Sequence, residues 1–203
     1  VNFTGKLFTL PEAIPLLISP EDKMKTNNND VILNWTAVQG GYSYKVQVSK
    51  DTTFVTKVVK ELKIPDEGVY AMTHELIDFP DGAYYWRVRE ISANGVKGPW
   101  SEIWKFKVDT IPPSVPSLIK PADGAVKTGT PTFAWYAATG ANWYVFELSR
   151  DSAFSDVILT SDLLTSTSYT LPLQSPGTYY WRVKAKDKAG NESVSKARMI
   201  ILQ

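Results

Sequence analysis

The chain of 203 residues carries one histidine, His74, and no cysteine. That inventory leaves little from which to assemble a serine triad, a cysteine–histidine pair or a multi-histidine metal centre, and it excludes thiolate chemistry. His74 falls in a predicted strand, where a surface or structural role is expected. No glycine-rich phosphate loop, HExxH or GxSxG string occurs. Asp66, Glu67, Asp78 and Asp81 cluster in turns without pairing around an aromatic cleft, and their spacing matches no calcium loop. They read as solvated turn carboxylates. The sequence therefore reads as non-enzymatic and names no cofactor.

Side chains that could bind are more numerous. Strand alternation that holds Tyr144 inward turns Trp143 and Val145 outward, and the same alternation turns Tyr180 and Arg182 outward on a neighbouring strand. Exposed aromatics of this kind stack on a sugar or a protein partner, or pack in a local cross-strand ladder. In the first half of the chain Tyr85 and Arg87 occupy the corresponding outward positions. There Lys45, Arg87, Arg89, Lys105 and Lys107 share one parity, a basic face that either meets an anionic glycan or is simply solvated. Asn2, Asn34 and Asn191 each begin an Asn-x-Ser/Thr triplet.

These positions are set by elements that occur twice. Tyr84-Tyr85-Trp86-Arg87-Val88 returns as Tyr179-Tyr180-Trp181-Arg182-Val183, about 95 residues later. Val31, Leu33 and Trp35 match Phe133 and Trp135, and Tyr44, Val46 and Val48 match Tyr144, Phe146 and Leu148. Ser49, Asp51 and Phe54 return as Ser149, Asp151 and Phe154. Each half opens with a short segment ended by proline, at Pro20 and Pro121, and closes on an apolar strand, Trp104 to Val108 or Ala197 to Leu202. Period-2 alternation with turn signals throughout predicts about seven short strands per half and no helix. Val1 to Leu10 also alternates, but nothing in the second half corresponds to it.

The predicted organisation is a surplus strand at 1–12, one module at 13–109 and a second at 110–203. Pro112, Pro113 and Pro116 favour an extended, semi-rigid connection, so tandem modules in a rod are expected. A composition 43% hydrophobic and 12% aromatic supports two packed cores. The formal net charge of +1 gives no bulk attraction to nucleic acid or anionic membrane. No run of about 18 apolar residues suggests membrane insertion, and an exported form would have lost its leader.

The tryptophans Trp35 and Trp135, the tyrosines Tyr44 and Tyr144, the Gly-x-Tyr-x-Trp-Arg-Val strands from Gly82 and Gly177, and Gly98-Pro99-Trp100-Ser101 resemble fibronectin type III domains. Lys120 to Ala125 and Asp187 to Asn191 look like tandem repeats of bacterial secreted or cell-surface proteins. The resemblance implies an all-β fold of two tandem seven-stranded antiparallel sandwiches of immunoglobulin-like type, with Tyr84 and Tyr179 as tyrosine-corner residues. It implies an extracellular or cell-surface structural or adhesive protein, or alternatively a spacer or glycan-docking segment of a large secreted polysaccharide-degrading enzyme. Protein partners, neighbouring repeats or a cell-surface glycan are its expected contacts.

The surplus strand has two readings. Val1, Phe3 and Leu7 either donate a strand to another copy, giving a head-to-tail filament, or are the remnant of a preceding repeat. Met199 and Ile201, outward on a last strand that is apolar on both parities, are the expected acceptor surface.

Overall fold

The computed structural model describes residues 14–39 and 42–203; the strand expected at 1–10 lies outside them. The chain divides into two compact units with the boundary between Asp109 and Thr110. Unit 1 contains β1 (Leu17–Ser19), β2 (Met24–Thr26), β3 (Val31–Thr36), β4 (Ser43–Ser49), β5 (Val58–Pro65), β6 (Ala71–Leu76), β7 (Gly82–Ile91) and β8 (Trp104–Val108). A three-stranded sheet in the order β1-β3-β6 faces a five-stranded sheet in the order β2-β8-β7-β4-β5.

Unit 2 contains β9 (Leu118–Lys120), β10 (Ala125–Lys127), β11 (Thr132–Trp135), β12 (Trp143–Ser149), β13 (Val157–Thr160), β14 (Ser168–Thr170), β15 (Gly177–Lys186), β16 (Glu192–Val194) and β17 (Arg198–Leu202). Its small sheet runs β14-β11-β9 and its large one β10-β17-β15-β12-β13, with β16 also pairing β15.

Alternation explains the cores. In β7 the inward set is Tyr84, Trp86 and Val88, and in β15 it is Tyr179, Trp181, Val183 and Ala185; all are buried. Trp35, Tyr44 and Phe106 complete the centre of unit 1, and Phe133, Trp135 and Phe146 that of unit 2. The indole N–H groups of Trp35, Trp86, Trp135 and Trp181 are buried with no hydrogen-bond acceptor. Their rings meet neighbours at steep angles, as Trp181 does against Phe133 at 4.8 Å and 70°.

Two expectations need correction. The described residues hold eight strands in unit 1 and nine in unit 2: the opening strand of each is split at its proline, and unit 2 adds the short β16 against β15. Before Pro20, β1 pairs antiparallel with β3; after it, β2 crosses to the other sheet and pairs in parallel with β8. β9 and β10 divide in the same way around Pro121, so the sheets are not purely antiparallel. Proline supplies no N–H to the first ladder, and the aspartate two residues on docks the chain to the second. Asp22 Oδ1 accepts the Lys105 amide at 2.9 Å, and Asp123 Oδ1 accepts that of Met199 at 2.7 Å. The proline-rich connection is also shorter than it reads, since Ser114 exchanges hydrogen bonds with Thr139 and accepts one from Ser193, all within unit 2.

Candidate functional site

The outward arginine of the repeated strand is held in both units, by different chemistry. In unit 1 the Arg87 guanidinium lies between the rings of Phe54 and Trp100, 4.1 Å from each centroid. Arg89 stacks on the same Trp100 at 4.3 Å. Gln47, directly opposite on β4, accepts from Arg87 Nε at 3.0 Å and Nη2 at 2.8 Å and donates to Glu61 at 2.6 Å. Unit 2 lacks the second ring: Val194 precedes Ser195 where Trp100 precedes Ser101. Arg182 stacks on Phe154 at 4.0 Å, and the position opposite it is a carboxylate, Glu147. Glu147 takes Arg182 on one oxygen and Lys184 on the other, each at 2.6 Å. Burial disfavours its charge, yet the bonds from Lys184 and Arg182 hold its pKa below the ordinary carboxylate range.

The Ser-x-Asp-x-x-Phe segment makes this possible. Asp51 Oδ1 accepts the amides of Thr53 and Phe54, and Asp151 accepts those of Ala153, Ser155 and Asp156. Phe54 and Phe154 are thereby turned, at φ of 55° and 60°, over the arginine. The segment is a polar turn carrying one ring.

The remaining predicted contacts are dispersed. Trp143 pairs with Lys186 and Tyr180 with Ser149, at opposite ends of the β12–β15 ladder, so on their shared face Lys184 and Lys186 lie between Trp143 and the adjacent Arg182 and Tyr180. Val145, expected outward and open, is buried; Lys184 lies beside it with its ammonium on Glu147. The basic face of unit 1 is internally matched: Lys45 bonds Glu61 at 2.6 Å, Lys107 bonds Asp109 at 2.6 Å, and Lys105 lies 5.5 Å from the Tyr85 ring. Val1, Phe3 and Leu7 lie outside the described residues. Met199 and Ile201 are half-buried on β17, which has β15 along one edge and β10 along the other, with Ile201 beside Val126. β17 therefore offers no free edge to a donor strand. The amide nitrogens of Asn34 and Asn191 bond Ser19 and Asp187, each at 2.8 Å.

His74 is half-buried on β6, and burial pushes its pKa down. Among the described residues no group of three or more His, Cys, Asp or Glu could hold a metal. Asp66 is engaged locally, accepting from Gly68 N at 2.7 Å and from the Tyr44 hydroxyl at 3.3 Å.

That aspartate belongs to a concave region the sequence reading missed. A hollow of about 1030 Å³ opens at one end of unit 1, where the β3–β4 and β5–β6 connections meet. Its walls include Val38, Tyr42, Ser43, Lys63, Asp66 and Tyr70. Tyr42 and Tyr70 are 60% and 84% exposed. Their backbones are fixed, since Tyr42 O accepts Asp66 N at 3.0 Å and Tyr70 O accepts Ala37 N at 2.8 Å. Ser43 is buried and its hydroxyl has no partner. In unit 2 Leu164 bonds Tyr144 in both directions at 2.8 Å and packs on the core, as Ile64 pairs with Tyr44 and packs on the core of unit 1. The available signal was the failure of the repeat: Asn142 stands where Tyr42 does.

No family model and no curated protein matches the chain. Solved structures do. The FN1–FN3 domains of chicken CNTN1 match with TM-score 0.56 and 15% identity, over 95% of this chain and 68% of that one. Fibronectin(III)-like modules of Clostridium thermocellum CbhA match with TM-score 0.58 and 15% identity, over 93% and 92%. The chain is a tandem of two fibronectin type III-like β-sandwiches.

Proposed function

We propose that this protein is a non-catalytic structural and adhesive element of an extracellular or cell-surface assembly. One observation carries the reading. The outward residues that recur in both units are engaged within the module: the strand arginine stacks on a phenylalanine ring, and the turn aspartate accepts the amides of the turn that carries that ring. What the repeat preserves is a module, and contact chemistry is left to features that differ between the units. The hollow at Tyr42 and Tyr70 supports a second reading, in which the pair is a spacer and glycan-docking segment of a larger polysaccharide-degrading protein. A catalytic domain encoded on the same chain would decide for it.

The test is cosedimentation of the 203-residue protein with insoluble polysaccharides, with reducing ends assayed in parallel. Retention without release of reducing ends is expected. Release of reducing ends by the purified protein overturns the non-catalytic reading.

A further inference from the structure

We infer that the hollow of unit 1 is a binding site for a neutral sugar residue of a glycan, with Tyr42 and Tyr70 as its stacking platforms. The inference rests on the adhesive reading and gives it a place and a ligand class. Two tyrosines exposed to 60% and 84% are not core residues, yet both are anchored by backbone hydrogen bonds to the opposite wall. A rigid, amphipathic ring suits the C–H face of a pyranose, because the ring loses little entropy on contact and its hydroxyl stays wet. The walls between the rings are polar. The Asp66 carboxylate is oriented by the Gly68 amide and the Tyr44 hydroxyl, and Tyr44 is fixed in turn by the Val38 amide at 2.7 Å. A carboxylate has about four acceptor positions, so further ones remain for sugar hydroxyls. Ser43, also at the wall, is buried and its hydroxyl has no partner.

Charge selects within the class. Lys63 and Asp66 both line the hollow and carry opposite charges, so an uncharged polyol fits better than a polyanion. Size agrees, since a hollow of about 1030 Å³ takes one to a few sugar rings. In unit 2, Asn142 stands in place of Tyr42 and removes one of the two rings, so binding belongs to unit 1.

The test is a ¹H–¹⁵N titration of the 203-residue protein with cellohexaose, mannohexaose, xylohexaose and chitotetraose, alongside oligogalacturonate and a proline-rich peptide. At least one neutral oligosaccharide is expected to shift amides around Tyr42, Asp66 and Tyr70. Tyr42→Ala and Tyr70→Ala should each weaken that binding roughly fivefold or more, with the melting temperature kept because both rings are exposed. Trp143→Ala should leave it unchanged. Sugar binding that persists in both tyrosine variants, or that follows Trp143, overturns the site and leaves the adhesive reading standing. Peptide or oligogalacturonate binding here in place of neutral sugar overturns the ligand class. Failure of every sugar to bind overturns the inference, and release of reducing ends in the parallel assay overturns the reading beneath it.

Discussion

Glu147 and Gln47 occupy the same place in two copies of one module, and the difference follows from what lies above the arginine. In unit 1 two rings hold Arg87, so a neutral amide suffices opposite it; in unit 2 one ring is missing and a carboxylate replaces it. Trp100→Ala should therefore destabilise unit 1 by about 1–2 kcal/mol, read as a shift in urea midpoint with the slope unchanged. Glu147→Ala should destabilise unit 2 by about 2 kcal/mol in the same measurement, less than for a fully enclosed pair, because Arg182 and Lys184 remain 25% and 24% exposed. Acid provides a separate check. Asp151 is held at about 2, first by the Asp156 amide and then by Ser155 and Ala153, with burial opposing. A carboxylate whose folded pKa is depressed stabilises the fold above its unfolded value and loses that contribution as pH falls through the folded one. Calorimetry should show the stability of unit 2 level near neutrality and falling between about pH 4.5 and 2, with part of the fall absent in Glu147→Gln.

At the scale of elements, each unit is assembled around its longest strand, β7 or β15. The approach to that strand is set by the tyrosine corner: Tyr84 donates to Pro80 O at 2.8 Å and Tyr179 to Ser175 O at 2.9 Å. A Cβ at Gly82 would stand 3.1 Å from the Tyr84 hydroxyl, which is why glycine precedes the corner. Its exit is pinned by a buried serine. Ser101 Oγ accepts the Val88 amide at 3.0 Å and Ser195 Oγ that of Val183 at 3.0 Å, and each donates to the carbonyl of the residue that follows it. Ser101→Ala and Ser195→Ala each leave a buried amide without its acceptor. Each should lower the stability of its own unit by about 1–3 kcal/mol, measured by urea denaturation. Tyr84→Phe should cost about 1 kcal/mol by the same measure, since the ring still fills the core.

Among the described residues one hydrophobic cluster is built from unit 1 and another from unit 2. Trp86→Ala and Trp181→Ala each empty the centre of one cluster, at about 3–5 kcal/mol. In calorimetry, Trp86→Ala should lower a transition belonging to unit 1 and leave that of unit 2 in place, and Trp181→Ala should do the reverse. A single transition shifted equally by both variants would contradict two separately cooperative units.

The sequence alone determined the duplication, the all-β class and the buried face of nearly every long strand. Those follow from alternation and from a repeated run of large aromatics, and both are local properties of the chain. Tertiary structure decided the rest. Parity shows that Arg87 and Arg182 turn outward, but not that Phe54 and Phe154, more than 25 residues earlier, fold over them. The split of the opening strand depends on Asp22 and Asp123 reaching the last strand of their units, a contact across more than 70 residues. The hollow between Tyr42 and Tyr70 depends on separate connections meeting at one end of unit 1, where Asp66 N bonds Tyr42 O and Ala37 N bonds Tyr70 O. Alternation assigns a residue to a face of its own strand; which neighbour covers that face is set by register and loop path, and these become fixed only when the sheets close.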